Sequence, residues 1–177
     1  MKIIFLDIDC VLNFWISGED EFGFLFHEPF CENLKHVIEK TNAKIVLSSD
    51  WRFKGLDFMQ KLWKHRNLAG EIIGITPDCT QIADVEFYDK VERGHEVKEW
   101  ITIYNHFYSN ADKEMIYLFN IQSIENYCII DDCNDMLVEQ SNNFVRCANL
   151  KDTDSIKGCG LTEKTAKKVI EILNKKP

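Results

Sequence analysis

The sequence predicts an α/β protein of three layers, with helices on both faces of a central, mostly parallel sheet and no large cap domain. Three observations lead there. Apolar runs such as residues 3–6, 45–47 and 128–130 recur between segments of helical apolar spacing, which is the pattern of βαβ units. The runs carry almost no polar interruption, as strands buried on both faces do. Acids and hydroxyls stand directly after three of them: Asp7 and Asp9, Ser48 and Ser49, Asp131 and Asp132. In open parallel sheets, ligands bind beyond the carboxyl ends of the strands.

Taken in order, residues 2–9 read as a buried strand that ends abruptly in two acids. Residues 13–28 mix glycines, acids and aromatics without a helical period and read as a loop or short flap. Pro29 suits the first turn of a helix, continued by the spacing of Leu34, Val37 and Ile38. Residues 43–48 form a second strand, and 56–66 a helix with Leu56, Met59 and Trp63 on one face. A third strand covers 71–75. A helix over 91–107, opening near Gly94, carries Val97, Ile101 and Tyr104 in register. Residues 127–132 and 144–147 give two more strands, and Thr162 is a suitable N-cap for a closing helix. Between them, residues 115–119 suit an edge strand or an inserted hairpin. Residues 1–177 are expected to form one domain, with the flap its only elaboration.

Composition excludes several classes. At 177 residues and 45% hydrophobic content the chain can bury a core, and no apolar run approaches the length of a membrane span. The apolar stretch after Met1 is too short for a secretory signal. Seven scattered cysteines, none in zinc-knuckle spacing, suggest a reducing compartment, so a cytoplasmic location is expected. A net charge of −8 gives nucleic-acid binding no support from bulk electrostatics. The lysines near the C-terminus, Lys164, Lys167, Lys168, Lys175 and Lys176, read as a solvated helix face.

Asp7 and Asp9 on a regular strand would share one side, about 6.5–7 Å apart. Two like charges at the end of an apolar strand need compensation, and oxygen ligands point to Mg²⁺. Asp131-Asp132-Cys133-Asn134-Asp135 supplies a second acidic group, in which one acid can ligate while another supports it. An N-cap is the structural alternative for that group. Ser48 offers a hydroxyl to a phosphate oxygen, and a cation is needed to neutralise a transferring phosphoryl. Arg93, before Gly94, and Arg52, after Trp51, are the candidates, with Lys98 third.

The hydrophobic run 3–6 followed by Asp7-Ile8-Asp9-Cys10-Val11 resembles the first signature of the haloacid dehalogenase (HAD) superfamily. The Val46-Leu47-Ser48 strand end is similar to its second signature, and Ile129-Ile130-Asp131-Asp132 to its fourth. Together with residues 45–52, Arg93-Gly94-His95-Glu96 and Gly160-Leu161-Thr162, the pattern resembles the HAD domains of Swiss Army Knife RNA repair proteins. The resemblance implies a Rossmann-like fold and a Mg²⁺-dependent phosphatase. Asp7 would attack phosphorus and carry an aspartyl phosphate, and Asp9 would act as general acid and base. The Asp7 carboxylate, the Asp9 carbonyl and Asp131 or Asp132 would hold Mg²⁺, and Ser48 or Ser49 would bind the phosphoryl. Two departures stand out: Arg93 occupies the place of the usual lysine, and Cys10 stands where glycine is commoner. The substrate class implied is a phosphorylated small molecule or a nucleic-acid end, undecided between them.

Three alternatives compete. A catalytically weak or inactive domain that binds a phosphorylated ligand or a protein would explain the missing lysine, though it would not need both Asp7 and Asp9. A phosphoacceptor receiver domain wants its aspartate after a middle strand, whereas the third strand here ends in Ile75-Thr76-Pro77. A metal-dependent nuclease would leave Ser48 and Arg93 without a role.

Overall fold

The computed structural model of the protein describes residues 1–14, 18–79, 92–152 and 158–175. Strand β1 (Lys2–Leu6) is followed by a small antiparallel hairpin, β2 (Glu19–Asp20) and β3 (Gly23–Phe24), within the expected flap, of which residues 15–17 lie outside the described set. Arg66 fastens this hairpin to the body. Its Nε and Nη2 donate to the two Asp20 oxygens at 3.0 and 2.6 Å, and further N–H groups reach the carbonyls of Phe24 and Gly23.

Helix α1 (Glu28–Thr41) carries Pro29 in its first turn, where a missing N–H costs nothing. Asn42, left-handed at φ 52°, ends it. Strand β4 (Lys44–Leu47) runs into a 3₁₀ turn (Asp50–Lys54), and then come α2 (Leu56–His65), β5 (Ile72–Ile75) and α3 (Arg93–Asn110). Val91, the expected first residue of this last helix, lies outside the described residues.

Residues 115–119 are not an edge strand or hairpin, for helix α4 (Lys113–Leu118) occupies that place. Asp112 starts it by accepting a hydrogen bond from the Met115 N–H at 2.7 Å, and none of its residues is buried. A local cap decides the conformation where no packing does. The chain finishes with β6 (Asn126–Asp131), a 3₁₀ helix (Val138–Asn143), β7 (Phe144–Arg146) and α5 (Glu163–Asn174). The Thr162 hydroxyl caps α5, accepting from the Thr165 N–H at 3.2 Å.

The sheet is five-stranded, in the order β5-β4-β1-β6-β7, and every neighbouring pair is parallel. β1 therefore lies in the middle: β4 and β5 extend to one side, β6 and β7 to the other. The order reverses across β1 and β6, which opens a crevice at their carboxyl ends. Backbone pairing runs one residue past the strands: Asp7 N–H donates to Ile130, Ser48 N–H to Leu6 and Cys147 N–H to Asp131, all at 2.8–2.9 Å. These bonds set Asp7 and Ser48 level with the ends of the neighbouring strands.

Side chains alternate across the sheet. Ile4, Leu6, Ile45 and Leu47 belong to one core with Leu34 and Val37 of α1 and Val169 and Leu173 of α5. Ile3, Phe5, Val46 and Ile129 form a smaller one with Val97 of α3. The buried Phe5 ring meets Trp100 and Tyr127 edge-on, at 5.5 and 5.9 Å between centroids. No described helix is long and apolar enough to cross a membrane.

Because Phe5 is the largest apolar group under α3, Phe5→Ala is expected to lower the unfolding free energy by about 3–5 kcal/mol, read by urea denaturation. A loss below about 1 kcal/mol would mean that α3 is not held through this contact.

Candidate active site

Asp7 is the first residue after β1 and only 5% exposed, whereas Asp9 is solvent-exposed. The two do not share a strand face, because β1 stops at Leu6 and the chain coils after Ile8. The Ile8 carbonyl accepts from the N–H groups of Val11, Leu12 and Asn13, and Cys10 takes the left-handed conformation, φ 59°, that glycine adopts freely. The coil keeps Asp9 beside Asn13, with which it forms an isolated bridge.

Arg93, at the start of α3, reaches into the crevice. Its Nη1 donates to Asp7 Oδ1 at 3.0 Å, lies 3.4 Å from Asp131 Oδ2, and also donates to the Ser48 carbonyl. Gly94 makes this approach possible. Its N–H donates to the Asp135 carbonyl, its own carbonyl accepts from Gln140 Nε2, and a Cβ here would lie 2.5 Å from the Leu137 backbone nitrogen. The α3 terminus therefore sits directly against the loop that follows β6.

Asp131 is fully buried, and its Oδ1 accepts from the Cys133 N–H at 2.9 Å. It caps a turn and not a helix, since the next helical residue is Val138. Asp132 is half-buried and accepts from Asn149 Nδ2 at 3.0 Å. Ligand atoms of Asp131, Asp132 and Cys133 all lie within 4.8 Å of one another. Ser48 and Ser49 are fully buried, and neither hydroxyl has a well-formed hydrogen bond among the described residues. Ser49 nonetheless lies close enough to Asp7 to favour its charged form.

The electrostatics follow from this crowding. Burial pushes the Asp7 carboxyl up to about 6, against the opposing pull of Arg93, Ser49 and the Ile8 backbone. Burial and then the Asp7 charge push Asp131 well above the usual carboxylate range. For Arg93, burial works against the charge, but Asp131 and Asp7 overcome it and hold the guanidinium protonated. One cation thus faces two buried carboxylates, with Asp132 close by. Asp131 Oδ2, in ion-pair contact with Arg93 but without a well-formed hydrogen bond among the described residues, and the oxygen-rich donor set of Asp7, Asp131 and Asp132 fit a hard divalent cation.

Arg52 goes elsewhere. It is buried, donates to Glu96 Oε1 of α3 at 2.7 Å and stacks over Phe53 at 4.5 Å. Lys98 is exposed and pairs with Glu139 at 3.0 Å. Of the three cations considered from the sequence, Arg93 is the one beside Asp7. Three further residues stand at the site without a role expected from the sequence. Trp51 donates its indole N–H to the Asp9 carboxylate, Asn13 is buried with its Nδ2 unpartnered among the described residues, and Cys133 stands in the acidic group. A tryptophan beside a strand end reads as core, and no spacing rule links residues 9 and 51.

Residues 3–154 match the family described as the HAD domain in Swiss Army Knife RNA repair proteins. No curated protein is significantly similar to the chain.

The raised Asp7 carboxyl has a stability consequence in the metal-free protein. A carboxyl whose pKa is 3.8 in the unfolded chain and about 6 in the fold contributes fully below the lower value, and that contribution is lost as pH rises through the higher one. Metal-free Asp7→Asn is therefore expected to be more stable than wild type at neutral pH, by up to about 3 kcal/mol, the gain vanishing near pH ~4. Denaturant melts at the two pH values check this, and equal stability at both would contradict the burial of an ionised Asp7.

Proposed function

The chain belongs to the HAD-domain family of the Swiss Army Knife RNA repair proteins, and from that premise we propose a Mg²⁺-dependent phosphomonoesterase that works through an aspartyl phosphate on Asp7. The observation that carries the reading is the Arg93 guanidinium shared by buried Asp7 and Asp131 beside two buried serine hydroxyls without well-formed partners. Arg93 neutralises part of the carboxylate charge, and the rest of the site has donors waiting for acceptor oxygens.

In the first half-reaction an Asp7 carboxylate oxygen bonds to phosphorus while the bond from phosphorus to the leaving oxygen breaks. Asp9 gives its proton to that oxygen. In the second, water attacks phosphorus, Asp9 takes the water's proton, and the bond from phosphorus to Asp7 breaks to release inorganic phosphate. Arg93 and the hydroxyls of Ser48 or Ser49 hold the equatorial oxygens, where charge accumulates. Asp7, the Asp9 carbonyl and Asp131 or Asp132 would hold Mg²⁺, which would supply charge neutralisation when bound. Arg52, paired with Glu96, supports the wall of the site and not the phosphoryl group.

The exposure of Asp9 and the small size of the β2–β3 hairpin favour an open site that accepts a bulky leaving group. Phosphorylated RNA ends therefore belong in any substrate panel beside small phosphate esters, in keeping with the description of the family.

Phosphate release from p-nitrophenyl phosphate and such a panel, with Mg²⁺, is expected for the wild type. Asp7→Asn should lower it by at least about a thousandfold, and Asp9→Asn by about a hundredfold or more. Exhaustive chelation should abolish turnover and Mg²⁺ restore it. Undiminished turnover after chelation, or in Asp7→Asn, would defeat the proposal, and a folded wild type inert toward every member would favour a binding domain.

A further inference from the structure

Asp9 poses a problem that the proposed chemistry leaves open. An exposed carboxylate ordinarily samples several rotamers, yet a proton donor must meet the leaving oxygen in one geometry. Among the described residues, the hydrogen bonds to this carboxylate come from Trp51. The indole Nε1 lies 3.0 Å from Oδ1 and 3.1 Å from Oδ2, so the N–H points between the two oxygens and fixes the direction in which the group points.

Trp51 is itself held. It is 7% exposed, on the 3₁₀ turn that follows β4. Phe26 meets its ring edge-on at 5.7 Å, and the Lys54 ammonium covers its face at 4.4 Å while donating to the Phe22 carbonyl. Gly23 of β3 passes so near that a Cβ there would lie 3.4 Å from the indole. The hairpin, fastened by Arg66 to Asp20, thus lies against the indole at Gly23.

We propose that Trp51 is a positioning residue that holds the Asp9 carboxylate in its proton-transfer geometry, seated there by the β2–β3 hairpin. The proposal rests on the general-acid role given to Asp9 above. The competing explanation is that a buried indole N–H merely needs an acceptor. That explanation gives Trp51 a part in stability and none in leaving-group chemistry.

Leaving groups separate the two. p-Nitrophenolate departs without a proton, whereas the alkoxide of benzyl phosphate needs one, so losing the aligned acid slows only the second. The measurement is the rate of phosphoenzyme formation by rapid quench on both esters, below the melting transitions of all variants. Trp51→Phe and Trp51→Met lack the N–H, and two variants are used so that a folding failure in one leaves the other to read. In Trp51→His the imidazole Nε2 occupies the ring position of the indole nitrogen and keeps a donor.

The expected result is a loss of about tenfold or more on benzyl phosphate and less than about threefold on p-nitrophenyl phosphate in the first two variants, at unchanged KM. Trp51→His should recover most of the loss. Equal losses on both esters, or none, would overturn the proposal if Asp9→Asn still discriminates between them. An Asp9→Asn that does not discriminate would remove the acid role itself, and the proposal with it, and that control tells the two failures apart.

Discussion

The site depends on one guanidinium facing two buried carboxylates. Asp7 and Asp131 end adjacent parallel strands, and both are almost sealed from solvent. Without a counter-charge they would repel in a medium that screens poorly. Arg93 supplies that charge from the opposite direction, off the first turn of α3, and a single nitrogen serves both acids. An ion pair so deep is weak evidence of stability gained, because desolvation offsets much of the attraction. Its presence is better understood through what remains uncompensated. Two carboxylates with one cation, and hydroxyls without well-formed partners among the described residues, are what the proposed divalent ion and phosphoryl group would complete.

Several features of the fold serve that arrangement. Parallel pairing extends one residue beyond the strands, which sets Asp7 and Ser48 level with their neighbours. Gly94 lets the end of α3 press on the loop after β6, and Gln140 fastens the contact by bonding both the Gly94 carbonyl and the Leu137 N–H. Any larger side chain at position 94 would meet the Leu137 backbone nitrogen as well as the Gln140 side chain, each 2.5 Å from a Cβ there. Arg52 and Glu96 form a second buried pair that ties the turn after β4 to α3, where burial pushes the Glu96 carboxyl up despite its partner. On the other side the hairpin, Trp51 and Lys54 make a wall against which Asp9 rests. Asp9 and Arg93 are thus placed by different parts of the chain, joined by the sheet and by the Arg52–Glu96 pair.

Much of this was legible in the sequence. The apolar runs before Asp7, Ser48 and Asp131 predicted buried parallel strands, and the sheet contains each of them at the expected place. Pro29 and Thr162 marked helix starts because their chemistry is local. Residues 115–119 misled, since an apolar run fits strand and helix alike and the deciding Asp112 cap lay outside it. The regular-strand geometry for Asp7 and Asp9 also failed, because the turn at Cys10 requires a left-handed residue that no side-chain pattern announces. Choosing among Arg93, Arg52 and Lys98 required distances: Arg93 and Lys98 lie on α3 and Arg52 on the turn after β4, and only their tertiary partners tell which one reaches Asp7. Trp51 was invisible as a partner of Asp9 for the same reason.

In the proposed reaction Asp7 carries the phosphoryl group between the two half-reactions. Acid quenching during turnover of an aryl phosphate, followed by peptide mass mapping, looks for that group itself. A phosphoryl group on Asp7 is expected, present with substrate and Mg²⁺ and absent from Asp7→Asn. Steady turnover with no phosphoryl on Asp7, at quench times short enough to catch a covalent intermediate, would contradict it.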